Sequence, residues 1–223
     1  MATDPDAPES IPIAILAKAP VAGFAKTRLI PRLGAQGAAD LQAWMIRRAV
    51  TTALDAGIGP VSLWCAPNRN HALFRALAQA QDLALHDQAG PDLGSRMLAV
   101  FLAPETAGPM LLIGTDCPAL TPSHLTACAR ALGQNDAVFL PAEDGGYALV
   151  GLRRAVPQIF EAMTWSTDTV MAETRERLAR LGLTWGEPAF LWDVDVPADL
   201  DRLIDLRLHA LAGQGVAPPL TPE

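Results

Sequence analysis

Short apolar runs recur along the chain, and the segments between them carry apolar residues at helical spacing. The runs are 13–17 (IAILA), 61–65 (VSLWC), 83–86 (LALH), 110–114 (MLLIG), 137–140 (AVFL) and 147–152 (YALVGL). Each has the length of a strand buried in a sheet and is too short for a buried helix. After the first run, residues 34–57 place Leu41, Met45, Ala49 and Ala53 on one face, with Gly57 as the stop. Asp92 stands as N-cap to LGSRMLAVFL. Thr121-Pro122 is a cap with proline in the first turn, and Gly133 closes that helix. Ser166, Thr167 and Asp168 precede the amphipathic stretch TVMAETRERLARLG, and Pro197 opens a last helix, ADLDRLIDLRLHALAG. The alternation predicts an α/β fold: a single domain with a mostly parallel sheet and helices on both faces. Ligands of such sheets bind beyond the carboxyl ends of the strands, so the loops that follow the strands are the place to look.

Composition narrows the picture. Half of the 223 residues are hydrophobic, enough for a sizeable core. A formal net charge of -7 argues against non-specific nucleic-acid binding, which needs a cationic surface. Cys65, Cys117 and Cys128 are odd in number and form no CxxC pair, so neither a disulfide framework nor a zinc knuckle is indicated. The polar start MATDPDAPES lacks a signal-peptide core, and no apolar run reaches the ~20 residues of a membrane span. The expectation is a cytoplasmic protein without a transmembrane segment. Its folded domain is expected over 11–211, with flexible ends at 1–10 and 212–223.

The loops carry the chemistry. The first strand runs into KAPVAGFAKTRL, which packs Lys18, Lys26 and Arg28 around Gly23. Either it is a solvated turn or it is an anion cradle, the glycine admitting the backbone and the cations offsetting phosphate charge. In an acidic chain the cradle is favoured. It is not a Walker A loop, because Pro20 and Ala25 stand where glycines belong. Asp116 follows the fourth run and either caps a turn or holds a divalent metal against phosphates. Asp144-Gly145-Gly146 reads as a hairpin turn, with Asp144 also placed to bind a sugar hydroxyl or act as a base. Asp193 and Asp195, two residues apart in extended chain, share a face, while Asp199 reads as helix N-terminal charge. Asp92 and Gly94 are either cap and turn or neighbours of a nucleoside. Trp165 is either a helix staple or a stacking surface for a ligand.

Taken in order, AKAPVAGFAKTRL, DLGSRM, GTDCPAL, EDGGYALVGL, WSTDTVMAET and DVDVPADL resemble the radical-SAM/selenodomain-associated glycosyltransferases of the arsenosugar-biosynthesis type. These are nucleotide-diphospho-sugar transferases of GT-A fold, with the molybdenum cofactor and phospholactate guanylyltransferases as distant relatives. The resemblance implies a GT-A-like domain that takes a nucleotide sugar, or a nucleoside triphosphate, and a small-molecule or lipid acceptor. Ala17, Lys18, Pro20, Gly23, Lys26, Thr27 and Arg28, with Asp92 and Gly94, would meet the nucleotide. Asp116 and Asp195, with Asp193 as the fallback, would hold Mg²⁺ or Mn²⁺. Asp144, Gly145, Gly146, Tyr147 and Trp165 would line the sugar or acceptor side, and Asp144, Lys26 and Arg28 would be catalytic. Two departures stand out. Val196 replaces an expected threonine cap, and Gly114-Thr115-Asp116 lacks the Asp-x-Asp pair of many GT-A enzymes.

Overall fold

The computed structural model describes residues 10–104 and 108–204. The expectations for 1–9 and 205–223, including most of the last predicted helix and the boundary at 211, lie outside the described residues.

Alternating side chains build the core from the strands outward. In β1 (Ile13–Lys18), Ile13 and Ile15 face one side and Ala14 the other. The same alternation holds in β4 (Met110–Ile113) and β5 (Ala137–Pro141). Leu111, Ile113, Val138 and Leu140 join the first face, and Met110, Leu112, Ala137 and Phe139 the second. The first face is covered by α1 (Ile30–Ala56), α2 (Ala72–Gln81) and α4 (Pro122–Leu132). The second is covered by α3 (Leu93–Leu102) and α5 (Val170–Arg180), so helices do pack on both faces.

The sheet has seven strands in the order β3-β2-β1-β4-β6-β5-β7, adding β2 (Val61–Ala66), β3 (Ala84–Asp87), β6 (Tyr147–Leu152) and β7 (Trp185–Gly186). β1 pairs parallel with β2 and β4, β2 with β3 and β5 with β7. Only β6 runs against its neighbours β4 and β5, because a tight turn joins β5 to β6 and leaves no room for a crossover.

The helix signals act where the sequence put them. Asp92 forms a capping box with Ser95, Thr121 one with His124, and Gly57 ends α1 in the left-handed region. The predicted start of α1 at residue 34 is corrected: Gly34 (φ 69°, ψ 167°) is a kink inside a longer element that begins at Ile30. β7 is a strand the apolar pattern did not predict. Thr184 donates to the Asp136 carboxylate from both its N–H and its hydroxyl at 2.9 Å, which sets β7 beside β5. Beyond β7, Glu187 accepts from Arg175 Nε (2.8 Å) and Nη2 (2.6 Å) and from Trp185 Nε1 (2.8 Å), tying the strand to α5.

The Arg175 hydrogen bonds hold the Glu187 carboxyl below its ordinary range. A carboxyl with a lowered folded pKa adds stability above its unfolded pKa and loses it as pH falls through the folded one. Glu187→Gln is therefore expected to cost about 0.5–1 kcal/mol at pH 7, a drop of about 1–4 °C in melting temperature. The difference from the native chain should shrink as pH falls below the ordinary carboxyl range, as thermal melts at neutral and acid pH would show.

Candidate active site

Strand order reverses between β1 and β4: after β1 the chain builds outward through β2 and β3, then returns to β1's other side. The carboxyl ends of these strands are the expected binding edge. The loops from β1 and β4, the hairpin after β5 and the segment after β7 meet there.

The first loop is shaped by two left-handed residues. Gly23 has φ +82°, and no atom lies within 4 Å of the place a Cβ would take, so backbone geometry rather than space calls for glycine. Lys26 has φ 45° and ψ 47°, an uncommon conformation for a side-chain-bearing residue and one that collects at functional sites. Between them and after them, Ala25 and Leu29 are buried anchors. The Lys26 side chain is only 5% exposed. Its Nζ donates to the Val194 carbonyl at 2.6 Å and lies 2.9 Å from Asp116 Oδ1 and 3.8 Å from Asp195 Oδ1. Exposed Arg28 pairs with the other oxygen of Asp195.

The β4 loop is fixed from three sides. Gln42, buried in α1, donates to the Thr115 hydroxyl at 3.1 Å, and that hydroxyl donates to Asp116 Oδ1 at 3.3 Å. Arg48 Nε donates to the Pro118 carbonyl at 2.6 Å. Val194 N–H donates to the Asp116 carbonyl at 2.9 Å, and Cys117 Sγ to the Trp192 carbonyl at 3.0 Å. Burial pushes the Cys117 thiol up to about 12, so it is packing rather than a nucleophile.

The hairpin is real, with Gly145 N–H donating to Ala142 and Ala142 N–H to Gly146, each at 3.0 Å. Asp144 Oδ1 accepts from Gly146 N–H at 2.8 Å. Gly145 (φ +85°) is obligatory, since a Cβ there would stand 2.0 Å from the Asp168 carbonyl oxygen. Leu191 bridges to Ala142 in parallel register, which carries 192–195 along the end of β5 toward Asp116. Glu143 and Arg202 pair at 2.6 and 3.1 Å, and Arg202 lies 4.5 Å over the Trp192 ring.

Asp193 is half-buried, and its carboxyl is pushed up to about 6, first by desolvation and then by the charges of Asp144 and Asp195, with Lys26 opposing. It therefore belongs to the same acidic end as Asp195. Asp199 reads as predicted, as N-terminal charge: its Oδ2 accepts from the N–H groups of Asp195 (2.9 Å) and Val196 (2.8 Å). Those bonds are the return half of a capping box, made to N–H groups at and before Val196, whereas a threonine at 196 would accept from an N–H inside the helix.

The fold thus gathers Lys26, Arg28, Asp116 and Asp195 into direct contact and sets Asp193 and Asp144 beside them. Lys18 is exposed at the end of β1, Thr27 is exposed and Pro20 half-buried, while Ala17 is buried and offers its carbonyl to Gln88 Nε2 at 3.2 Å. Asp92 spends one oxygen capping α3, and Gly94 lies so close under the Trp165 indole that a Cβ would meet Nε1 at 2.5 Å. Tyr147 packs against Phe139 and edge-on to Trp165, with burial pushing its phenol up. Among the described residues, no hydrogen bond or ion pair links Asp92, Gly94, Tyr147 or Trp165 to the Lys26 cluster. Sequence reasoning missed Gln42, Arg48, Gln88 and the Val194 carbonyl. Gln42 left a signal, a polar residue beside Leu41 and Met45 on the apolar face of α1. A carbonyl leaves none.

Asp116 and Asp195 converge on a single cation position, and both offer hard carboxylate oxygens. That donor set fits Mg²⁺ or Mn²⁺, which are held by one or two carboxylates with substrate phosphates completing the shell. Among the described residues no group of three or more His, Cys, Asp or Glu is gathered to hold an ion by itself. A cavity of about 440 Å³ lies elsewhere, between α1 and the start of α4, lined by Trp44, Arg47, Arg48, Thr51 and Leu120 among others. Among the described residues, no helix is long and apolar enough to cross a membrane.

The architecture is that of GT-A-like nucleotidyl- and sugar-transferring enzymes. A candidate nucleotide-diphospho-sugar transferase from Desulfovibrio desulfuricans G20 is 26% identical, with a TM-score of 0.79, over 87% of this chain and 86% of that one. CMP:2-keto-3-deoxy-manno-octonic acid synthetase complexed with CTP shares the fold at 15% identity and a TM-score of 0.57, over 91% and 100% of the two chains. A Mycobacterium tuberculosis H37Rv protein in complex with manganese does so at 16% identity and a TM-score of 0.50, over 88% and 98%. The chain itself belongs to the family described as "uncharacterized protein conserved in bacteria (DUF2064)", whose model matches residues 48–167. That span holds Asp116 and Asp144. No curated protein sequence matches the chain.

Two substitutions test this construction. Gly145→Ala adds a side chain in a left-handed turn against backbone and is expected to cost about 2 kcal/mol or more, at least ~4 °C in melting temperature. Asp199→Ala is expected to cost about 1 kcal/mol, the usual worth of a helix cap, visible as a drop of about 2–4 °C.

Proposed function

We propose that the protein is a glycosyltransferase that moves a sugar from a nucleoside-diphosphate sugar to an acceptor hydroxyl. The observation that carries this reading is the convergence of Lys26, Arg28, Asp116 and Asp195 where strand order reverses. The likeness to the Desulfovibrio protein at 26% identity and the resemblance to radical-SAM-associated glycosyltransferases support it. The donor's diphosphate lies over the β1 loop, against Lys18, Lys26 and Arg28. Asp116 and Asp195, with Asp193 beside them, would hold Mg²⁺ or Mn²⁺, which would supply positive charge to the leaving diphosphate.

In the transfer, the acceptor oxygen bonds to the sugar's anomeric carbon while the bond from that carbon to the phosphate oxygen breaks. The electron pair leaves with the nucleoside diphosphate. Lys26 and Arg28 meet a charge larger in the transition state than in the bound donor, so they accelerate the step rather than merely tighten binding. Asp144 takes the acceptor's proton if configuration inverts. Its carboxylate is exposed at the hairpin and steadied by Gly146 N–H. Exposed Phe24 and Phe190, which precede Lys26 and Leu191 in the chain, suit an acceptor with an apolar part.

One observation favours a second reading. With one carboxylate at 114–116 instead of an Asp-x-Asp pair, the same cradle suits nucleotidyl transfer, in which a phosphorylated substrate attacks a nucleoside triphosphate and pyrophosphate leaves.

A thermal-shift panel of UDP-glucose, GDP-mannose, other nucleotide sugars, GTP and CTP, each with and without Mn²⁺, tests both readings. A ligand at about 100 times its dissociation constant adds about 2.7 kcal/mol. The expected result is a metal-dependent shift with one nucleotide sugar, abolished in Asp116→Asn, with free nucleoside diphosphate as the product. A shift with a triphosphate alone, releasing pyrophosphate, selects the second reading. No shift with any of them overturns both.

A further inference from the structure

The acidic end of the site already contains a cation. Lys26 Nζ spends its hydrogens on the Val194 carbonyl at 2.6 Å and Asp116 at 2.9 Å, and lies 3.8 Å from Asp195. Its side chain is 5% exposed, its backbone is held left-handed, and the second Asp195 oxygen is taken by Arg28. We propose that Lys26 is the resident counter-ion of Asp116 and Asp195 and makes divalent-metal binding conditional on a bound diphosphate. The inference rests on the nucleotide reading above.

The argument is one of charge and place. A divalent ion that uses both carboxylates must take the position where the ammonium now sits, and the two cations repel each other there. Moving Lys26 aside without a new partner leaves a desolvated ammonium with little but a carbonyl, which is costly. A diphosphate over the β1 loop removes that cost by offering anionic oxygens to the same ammonium. Lys26 has the means to move, with a flexible four-carbon stem on a loop whose neighbours Phe24 and Thr27 are exposed. The metal therefore enters as the diphosphate draws Lys26 away. By linkage, the metal tightens the diphosphate by the same factor that the diphosphate tightens the metal. Lys26 thus guards the acidic pair against adventitious metal and then serves the leaving group.

The test uses the full chain and Mn²⁺ alone, with free Mn²⁺ followed by electron paramagnetic resonance. Lys26→Met and Lys26→Gln should bind Mn²⁺ about tenfold tighter than the native chain, within the usual range of coupling between sites. Lys26→Arg keeps the charge and should leave Mn²⁺ binding weak, which separates loss of charge from loss of fold. UDP, CDP and GDP are then titrated by calorimetry in EDTA and in Mn²⁺. One of them should bind the native chain about tenfold tighter with Mn²⁺, and this gain should shrink in Lys26→Met. If Lys26→Met and Lys26→Gln melt like the native chain yet bind Mn²⁺ no tighter, the inference is overturned, and the nucleotide reading stands so long as a diphosphate binds. If no diphosphate binds the native chain in either condition, the nucleotide reading fails and takes this inference with it.

Discussion

Four carboxylates, Asp116, Asp144, Asp193 and Asp195, are folded toward one end of a sheet, and the loops there are arranged around their mutual repulsion. The raised Asp193 carboxyl is the sign that repulsion and burial are both felt. Lys26 and Arg28 offset it from the β1 loop, one from inside and one from the rim. That counter-charge adds to the Val194–Asp116 and Cys117–Trp192 hydrogen bonds that hold the segment 192–195 against the β4 loop. With it, Val194 joins Leu29, Met45, Leu200 and Leu203 in a small apolar cluster that seats the end of the described chain on α1. Charge and packing thus reinforce each other at this edge.

The sheet topology supplies the place. Because the chain builds β2 and β3 on one side of β1 and returns to β4 on the other, the loops from β1 and β4 leave neighbouring strand ends and meet at one edge. The reversed strand β6 then brings a hairpin, rather than a helix, to the same edge, and β7 carries the last acidic segment there. Polar ties from α1 hold the arrangement to the scaffold: Gln42 reaches Thr115 and Arg48 reaches Pro118. A site built this way is fixed on the side of Asp116, while the β1 loop exposes Val21, Phe24 and Thr27.

Several residues that the motif pattern placed near a ligand also do structural work. Asp92 closes a capping box, Gly94 makes room for Trp165, and Gly145 is required by the Asp168 carbonyl. A change at such a residue disturbs a cap or a turn directly. Lys26 is different. Its left-handed backbone serves no turn that a glycine would not make more easily, so its side chain is the reason a lysine stands there.

Local structure here follows from short stretches of the sequence. Apolar runs of strand length, Asp92 and Thr121 as caps, Gly57 as a stop and Asp144-Gly145-Gly146 as a hairpin act through neighbours a few residues away, so their chemistry is legible along the chain. The sequence also placed Lys26 and Asp116 in loops that follow strands and Asp195 just before the last predicted helix, since that follows from the alternation of elements. That these three touch is a product of the folded chain, because their separations in sequence are far beyond any local spacing rule. It alone made β7, two residues with no apolar run of their own, a strand, through pairing with β5 and the Asp136–Thr184 bonds. And it alone set an ammonium, rather than solvent, between the two carboxylates, because which charges share a desolvated space is fixed by packing and not by order in the chain.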